Sequence, residues 1–326
     1  MRTGPVLRAI VGLAISAVAI FLVVRSVDLG ATLAALRQAD LRWVALAAAL
    51  GTADLALRGL RWQRLIRPIA AIPYLRMFGY LLIGYGANNI LPARLGELVR
   101  SHYIGDREGI SRASALGTVV VERVVDLVAV VAIASVALLV LSVRGVLVSM
   151  VFIGAAFAGL FIAILVLGIV AHRLPGVDRV AGLIEEWPWI RQLVSSLQGG
   201  LGVVSRPRTL IEALLATAAA WSCSILALAA LGQALGVQLS IGEAALMSSG
   251  IALAGAIPAA PSNIGTFEAA AVATGTTIGL SGETALAIGL LSHGVILAIT
   301  SIGGLIAFGR IGWRAGAAPS TETEGA

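Results

Sequence analysis

The chain has 326 residues, of which 59% are hydrophobic and only 12% charged, and its mean hydropathy is +0.97. These values exclude a soluble globular domain of ordinary composition and indicate an integral membrane protein. All 23 basic residues are arginine. We attribute the net charge of +6 to coding bias and to loops flanking membrane helices, and we expect no nucleic-acid partner.

Apolar runs follow one another along most of the chain, and a run of roughly 17 to 25 residues can cross a bilayer as a helix. Two apolar stretches, 77–112 and 243–280, are interrupted by proline, glycine and charged residues. The predicted fold class is therefore all-α, a polytopic membrane helix bundle. Its full spans are predicted at about 6–24, 42–60, 113–142, 147–170, 209–234 and 284–308.

The distribution of arginine predicts which side of the membrane each loop faces, because positive charge is enriched in cytoplasmic loops. Fourteen arginines fall in the parts predicted to be cytoplasmic and four in the outer loops. The densest group follows the second span and consists of Arg58, Arg61, Arg64, Arg67 and Arg76. We predict two cytoplasmic termini, an amphipathic cytoplasmic connection at 172–208 and a disordered tail at 311–326.

This orientation constrains the two interrupted stretches. If 77–112 crossed the membrane completely, the next helix would run in the direction that leaves 172–208 outside. A re-entrant hairpin that enters and leaves from the cytoplasmic side removes the conflict, and the same reasoning makes 243–280 a re-entrant hairpin from the outer side. About six full spans plus two re-entrant hairpins then form an inverted repeat, with halves at about 5–143 and 147–308 in a single membrane domain, 1–310.

The two interruptions are alike in sequence. "PARLGE" and "PSNIGTFE" each begin with proline, place glycine four positions later and carry a glutamate shortly after it. Non-helical backbone at membrane depth requires protein or a water-filled cavity around it, and proline and glycine allow the chain to turn there. We therefore predict half-helices that face one cavity, with breaks at Pro92, Gly96, Pro261 and Gly265.

Charged side chains at these breaks predict a site for an anionic headgroup. One charge at the centre of a membrane helix costs on the order of 2.5 to 3.5 kcal/mol, so a group of them is difficult to explain as accidental. Helix N-termini favour anions, and arginine grips phosphate in bidentate fashion. The predicted substrate-binding residues are Arg94, Glu97, Arg100, Asn89, Asn263 and Glu268, and the predicted supporting charge network is Glu122, Arg123 and Asp126.

Within this site, Arg94 and Arg100 are predicted to bind the phosphate. The two glutamates would orient the arginines, bind a cationic part of the headgroup or exchange a proton. A purely structural alternative stays open, in which the same side chains form internal salt bridges that only hold the hairpin in place. No catalytic residue, metal ligand or cofactor site is predicted.

For several other polar residues, their positions in the sequence favour a structural role. Asp54 and Arg58 are spaced as an i,i+4 pair. Asn88 and its neighbour are predicted to cap exposed backbone before the first break. His102 and His293 are lone histidines in helical stretches. A lone histidine is more often a polar residue with satisfied hydrogen bonds than a proton relay, so we favour the structural role for both.

At the two breaks the sequence resembles the transmembrane, flippase-like region of the lysylphosphatidylglycerol synthase family, whose members carry Pro-x-Arg-x-Gly-Glu-x-x-Arg early and Pro-x-x-x-Gly-x-x-Glu late. The resemblance covers about residues 5–310. It implies a multi-pass protein of the bacterial plasma (inner) membrane that translocates a polar or charged lipid between leaflets. Longer family members continue into a soluble aminoacyl-transferase domain, and because none follows the last span here we expect no lysyl transfer. The matching residues are Pro92, Arg94, Gly96, Glu97 and Arg100, then Pro261, Gly265 and Glu268.

The leading hypothesis is a lipid transporter or flippase for a polar or anionic lipid or a lipid-linked headgroup, with proton exchange as one means of driving it. The first alternative is a membrane scaffold or partner subunit of a separately encoded glycosyl- or aminoacyl-transferase. A membrane-embedded lipid-modifying enzyme has less support, because no HExxH, paired-aspartate or Gly-x-Ser-x-Gly motif is present. The sequence also has no GxxxxGK[ST] loop, so we expect no ATP-driven pumping by the chain itself. The lipid and the oligomeric state stay open.

Overall fold

The computed structural model describes residues 3–91, 95–143, 206–255, 257 and 259–312, together with 149, 152, 154–156 and 159–160. All regular structure in these residues is helical, which confirms the predicted all-α class. The α-helices of these residues are α1 Thr3–Ser26, α2 Leu29–Arg37, α3 Leu41–Ile66, α4 Tyr74–Ile90, α5 Gly96–Glu108, α6 Arg112–Val140, α7 Pro207–Ala234, α8 Ile241–Ala254, α9 Thr266–Thr277 and α10 Gly282–Ile311.

Within the described part of the chain, four helices, α3, α6, α7 and α10, are long and apolar enough to cross a membrane. A fifth span results if α1 and α2, which are bent by 85° at their junction, are taken together. The predicted spans 42–60, 113–142, 209–234 and 284–308 correspond to the four long helices, and 6–24 lies within α1. Nearly all of the predicted span 147–170, the connection 172–208 up to residue 205, and residues 313–326 lie outside the described residues.

The stretch between the first two spans is helical, although the sequence predicted a loop there. The Asp28 carboxylate accepts hydrogen bonds from the backbone N–H groups of Gly30 and Ala31, at 2.7 and 3.1 Å, and so caps α2. Asp40 caps α3 in the same way through Arg42 N–H at 2.9 Å. Each cap satisfies part of the orphan N–H donors of the first helical turn, so each aspartate favours the start of a new helix.

Helices α3 and α7 pack against each other in antiparallel fashion. The N–H of Asp40 donates to the carbonyl of Ala234 at 2.8 Å, which joins the start of α3 to the end of α7. At the other end of the pair, Arg64 lies 3.6 Å from Glu212. We call the end of the bundle that holds Arg64 the proximal end and the end that holds Asp40 the distal end.

Helices α4 and α5 form a hairpin that starts and finishes at the proximal end. Arg76, near the start of α4, pairs at 2.7 Å with Glu108, the last residue of α5. At the tip, the Asn88 amide oxygen accepts a hydrogen bond from Gly96 N–H at 2.8 Å, which confirms the predicted capping by Asn88. The two helices touch through backbone, because a Cβ at Gly96 would collide with the Gly84 carbonyl oxygen.

Helices α8 and α9 form a second hairpin, which opens at the distal end. Leu246 of α8 and Ile278 at the end of α9 pack in one cluster with Leu141, which follows α6. A 3-10 turn, Pro261–Asn263, lies at the tip. The chain turns there through left-handed backbone at Ser262 (φ 61°), Asn263 (φ 59°) and Gly265 (φ 90°), a conformation that glycine and asparagine tolerate best.

The helices bury a core at the proximal half of the bundle and expose apolar side chains around it. Trp62, Met77 and Ile104 are completely buried where α3, α4 and α5 meet. In contrast, Leu139 and Leu305 are 80% and 73% exposed on the outside of α6 and α10. Large apolar side chains in such positions fit a surface that faces lipid.

Candidate functional site

The tips of the two hairpins meet against the middle of α10. The hydroxyl of Ser262 donates to the backbone carbonyl of Asn89 at 3.1 Å. The Asn89 amide in turn donates to the hydroxyls of Thr300 and Ser301, at 2.8 and 2.9 Å. Since α10 has 30 residues, it is about 45 Å long, and Thr300 lies a little beyond its midpoint. Both breaks are therefore far from either end of the bundle.

A cavity of about 370 Å³, which we call the tip cavity, lies between the hairpin tips. A neighbouring cavity of about 460 Å³, the flank cavity, extends between α3, α6, α7, α8 and α10. The two cavities share part of their walls, including Tyr85, Arg123 and Asn263. Of the predicted substrate-binding residues, the tip cavity is lined by Asn89, Glu97, Arg100 and Asn263.

Eight charged side chains form one connected network beside these cavities. Four are arginines and four are carboxylates, so the network is neutral when all are ionised in the part of the chain that the structure describes. The predicted supporting residues Glu122, Arg123 and Asp126 all belong to it. The members are Arg58, Arg61, Arg100, Arg123, Asp54, Glu97, Glu122 and Asp126.

Arg61 lies at the centre of this network. Its guanidinium contacts Glu122 at 3.0 Å and Asp126 at 2.6 Å, and the side chain is only 1% exposed. Removal of one partner from a buried pair typically costs about 3–5 kcal/mol because the remaining charge is uncompensated. The sequence placed Arg61 in the cytoplasmic flank after the second span, but it lies within α3, and we assign Arg61 a structural role.

Arg100 is also enclosed by protein. Its Nη2 donates to Glu122 at 3.2 Å, and its guanidinium carbon lies 4.5 Å from the centre of the Trp62 ring. The residue is 2% exposed. Within the described residues, the buried Nη1 of Arg100 has no hydrogen-bond partner. This arginine therefore fixes α5 to α3 and α6 and keeps one donor unused.

Arg123 is the more accessible cation. Its side chain is 32% exposed and lines both cavities. It contacts Glu122 at 2.9 Å and Asp126 at 3.5 Å, and it reaches the first hairpin through Glu97 at 3.5 Å. The Glu97 side chain is 23% exposed. A partly exposed pair of this kind contributes only about 0.2–1 kcal/mol, and its 3.5 Å contact makes Glu97 the most weakly held carboxylate of the network.

Asp54 and Arg58 extend the network into the flank cavity. Arg58 Nε lies 3.0 Å from Asp54, which confirms the predicted i,i+4 pair, and its Nη1 lies 3.5 Å from Asp126. The Arg58 guanidinium also lies 5.4 Å from the Trp221 ring centre. The flank cavity thus carries an acid, an arginine and an aromatic ring on one wall.

The second hairpin carries a separate polar pair. Glu268, in the first turn of α9, accepts a hydrogen bond from Gly265 N–H at 2.7 Å, and its other oxygen lies 2.6 Å from Nδ1 of His293 on α10. The Phe267 ring stacks on the imidazole with a centroid distance of 4.3 Å. His293 lines the tip cavity, so this pair faces the network across the same space.

The remaining predicted residues divide into those that the structure places and those that it does not describe. Gly96 and Gly265 lie at the two breaks, as predicted, and Pro261 begins the turn at the second. Pro92 and Arg94 lie outside the described residues. His102 pairs with Asp106 at 3.0 Å on an exposed face of α5.

Sequence reasoning missed Arg61 and undervalued His293. The spacing of the arginines was the available signal for Arg61. It precedes Arg64 by about one helical turn, which is compatible with a continuation of the second span as a helix through Arg61. No comparable signal linked His293 to Glu268. Within the described residues, no group of three or more His, Cys, Asp or Glu side chains is arranged to hold a metal ion.

Comparison with known proteins relates the chain to a family of membrane domains. The family model described as the lysylphosphatidylglycerol synthase TM region matches residues 9–304. Glycosyltransferase AglD of Haloferax volcanii is 26% identical over 343 residues, which cover 91% of this chain and 53% of the relative. A UPF0104 membrane protein of Methanothermobacter thermautotrophicus is 36% identical over 95 residues, 28% of each chain. The chain thus spans about half the length of the first relative.

Proposed function

Because the chain belongs to the lysylphosphatidylglycerol synthase transmembrane-region family, a family of multi-pass membrane domains, we propose that it moves a lipid with a polar, phosphate-bearing headgroup between membrane leaflets. The headgroup would pass through the tip cavity while the acyl chains stay in the bilayer. The observation that carries this proposal is the partly exposed Arg123 in a cavity formed by two hairpin tips at mid-length of the bundle.

Electrostatics supports a phosphate as the group that enters the tip cavity. Helices α5 and α9 both begin at the tips, and helix N-termini favour anions. Because the described network is neutral, we propose that an anion takes the place of a carboxylate. Glu97 is the carboxylate that yields, since its one ion-pair contact with the described residues is long, at 3.5 Å, and its side chain is 23% exposed. Arg123 then holds the phosphate, while Arg100 and Arg61 hold the site in shape.

Amide and backbone groups complete this site. Asn89 is fixed by α10 and Asn263 lies in left-handed backbone at the second tip, and both line the tip cavity. We propose that Asn89 and Asn263 bind polar parts of the headgroup and that Arg94, between Asn89 and Glu97 in the sequence, adds a second cation for the phosphate. Glu268 acts through His293 instead of contacting the arginines.

The proposed path requires both hairpins to be re-entrant in a plasma (inner) membrane, with the proximal end cytoplasmic. Among the described residues, eight arginines lie at the proximal end and three at the distal end, a bias that supports this orientation. The proximal arginines are Arg64, Arg67, Arg76, Arg107, Arg112, Arg206, Arg208 and Arg310, and the distal ones are Arg25, Arg37 and Arg42.

Packing between the helices supports the inverted repeat in this proposal. The contact of the first hairpin helix α4 with α10 corresponds to the contact of the second hairpin helix α8 with α6. In the same way, the α5 contact with α6 corresponds to the α9 contact with α10. Helices α3 and α7, which correspond to each other, form the most extensive contact between described helices, as expected beside a pseudo-two-fold axis.

Lipid exchange in reconstituted vesicles tests the transport proposal. The purified chain is placed in liposomes that contain fluorescent anionic, zwitterionic or polyprenyl-phosphate lipids, and the fraction of label protected from a membrane-impermeant quencher is followed. We expect the wild type to move at least one phosphate-bearing lipid and Arg123→Gln to slow that movement at least tenfold.

Arg208→Gln is the matched control, because Arg208 is 89% exposed and pairs only with Glu212 in the described residues. It is expected to keep the wild-type rate. Equal rates for Arg123→Gln and Arg208→Gln would remove Arg123 from the site. Failure of the wild type to move any of these lipids would contradict the transport proposal itself.

A second candidate function is supported by one comparison. The relative from Haloferax volcanii is named a glycosyltransferase, and this chain matches 53% of it. We propose as the alternative that the chain is a membrane partner of a separately encoded glycosyl- or aminoacyl-transferase. Stable co-purification with such an enzyme, together with no lipid exchange by the chain alone, is the result that would favour this function over transport.

A further inference from the structure

We infer that Glu268 and His293 form a proton-binding site in the wall of the tip cavity. His293 makes contacts on both sides of its ring. Nδ1 lies 2.6 Å from the Glu268 carboxylate, and Nε2 lies 3.0 Å from the Ser262 backbone carbonyl. The His293 and Glu268 side chains are only 6% and 13% exposed, so protein groups, and not bulk water, satisfy the imidazole.

The hydrogen count of these contacts requires one more proton than a neutral histidine carries. A carbonyl oxygen can only accept, so Nε2 must donate to Ser262 and carries hydrogen. The contact of Nδ1 with Glu268 also requires a hydrogen between the two atoms. Neutral imidazole has a single N–H. Both contacts are hydrogen bonds only when the pair holds an additional proton. Loss of that proton leaves an imidazole lone pair facing either the Glu268 carboxylate or the Ser262 carbonyl.

The position of Glu268 places this proton on the imidazole. Its second oxygen accepts a hydrogen bond from Gly265 N–H at 2.7 Å, and it lies in the first turn of α9, where the helix dipole stabilises a negative charge. The carboxylate therefore stays ionised, and His293 is an imidazolium when both contacts are present. Phe267 covers one face of the ring at 4.3 Å and limits the access of water to the pair.

Few other charges face the pair. Across the tip cavity the titratable and charged side chains are Tyr85 from α4, Glu97 and Arg100 from α5, and Arg123 from α6. Helices α1 and α8, which also pack near α9, contribute no titratable side chain to the described wall of this cavity. Glu268 is thus the direct counter-ion of His293, and the network lies opposite.

The first hairpin carries a corresponding pair that cannot release a proton. Arg123 and His293 each lie eleven residues after the first residue of their helix, α6 and α10. Each contacts a glutamate in the first turn of the preceding half-helix, Glu97 at 3.5 Å and Glu268 at 2.6 Å. Arginine stays charged at all physiological pH values, whereas histidine titrates in that range. Only the second pair can exchange a proton with the solvent.

Proton release changes the contact between the two tips. Ser262 accepts from His293 through its carbonyl and donates to Asn89 through its hydroxyl, at 3.1 Å. When the imidazole loses its proton, one of its two contacts must break, and either break loosens the second tip from α10. This step rests on the proposed function, for which it supplies a driving ion: headgroup passage coupled to a proton.

Nitrogen NMR of the full-length protein in lipid nanodiscs tests the proton site without any lipid movement. The chain has three histidines, and the His293 signals are identified by their loss in His293→Arg. Near neutral pH we expect two N–H groups on His293 in the wild type and a single N–H in Glu268→Gln. His102→Gln, at an exposed pair, is the control and should leave both N–H groups on His293. A single N–H in the wild type, or two in Glu268→Gln, would overturn the site.

Vesicles with an imposed pH difference test the coupling. Wild-type lipid distribution should shift by up to about tenfold per unit of pH difference if one proton moves with each lipid. Any exchange that His293→Arg retains, with its second pair as permanent as the first, should ignore the pH difference. A wild-type distribution that ignores the pH difference would overturn the coupling, whereas absence of all exchange would contradict the proposed function and leave the NMR result to decide the proton site.

Discussion

Glu97 is the residue on which headgroup binding and release both depend in the proposed mechanism. Among the described residues it has one ion-pair contact, to Arg123 at 3.5 Å, whereas Glu122 contacts Arg61, Arg100 and Arg123. A carboxylate with one weak contact can leave its arginine for a phosphate and then return. The return would compete with the phosphate and help to release it.

Replacement of Glu97 by glutamine tests this role. Glu97→Gln removes the competing charge, so we expect tighter binding of an anionic lipid and slower exchange, each by up to roughly fivefold for a pair worth about 0.2–1 kcal/mol. Equilibrium binding in nanodiscs and exchange in vesicles measure the two effects. Glu212→Gln, at the bundle end near Arg64, is the control, and an unchanged or weaker affinity in Glu97→Gln would contradict the mechanism.

At the residue scale the sequence predicted several members of the network but not its centre. Glu97, Glu122, Arg123 and Asp126 are conspicuous because they interrupt or begin apolar helices. Arg61 is not, because a row of arginines after a span reads as a cytoplasmic flank. Hydropathy cannot distinguish an arginine in a loop from one that faces acids on a neighbouring helix, and only the packing of α3 against α6 makes that distinction.

Gly96 is the element-scale feature that lets the first hairpin close. A Cβ at this position would collide with the carbonyl oxygen of Gly84 and with the Asn88 side chain. A backbone carbonyl cannot move aside as a flexible side chain can, so α5 would have to move away from α4. The Arg100 contact with Glu122, which depends on the position of α5, would lengthen as a consequence.

Gly96→Ala is therefore expected to destabilise the protein by about 1–3 kcal/mol, the range for overpacking in a close-packed interior. Thermal unfolding in detergent measures the loss as a lower Tm. Gly294→Ala is the control, since a Cβ there would meet no atom within 4 Å, and alanine favours a helix over glycine. A Tm of Gly96→Ala at or above that of Gly294→Ala would contradict the close approach of α4 and α5.

At the element scale, breaks were easier to predict than short helices. Proline and glycine marked both hairpin tips, where the structure has the ends of α4, α5, α8 and α9. Helix α2 was missed because its apolar run is only nine residues long, too short to be read as a membrane span. Its N-cap aspartate, Asp28, was the available signal, but an aspartate between two apolar runs is equally typical of a loop.

At the scale of the whole molecule, the proposed orientation has a direct test. With Cys223→Ser as background, Ala70→Cys lies between α3 and α4 at the proximal end, and Ser281→Cys precedes α10 at the distal end. A membrane-impermeant thiol reagent should label Ala70→Cys only from the cytoplasm and Ser281→Cys only from outside. Labelling of both from one side would contradict the re-entrant topology, and exchanged sides would reverse the orientation.

The sequence predicted the class of the whole molecule and not its interior. Composition alone identified a multi-pass helical membrane protein, because a mean hydropathy of +0.97 lies far above that of soluble globular domains. The sequence could not predict the tip and flank cavities, because their walls depend on the distances between side chains that lie far apart in the chain. Asn89 and Ser262, which join the two tips, are 173 positions apart.

Helix α10 holds both tips from a single face. His293 grips the second tip and Thr300 the first, and the two residues are seven positions apart, which places them two turns from each other on the same side of the rod. Displacement of a rigid rod along its own axis moves both of these points by the same amount. In the proposed transport mechanism, such a shift of α10 would therefore move the two tips together.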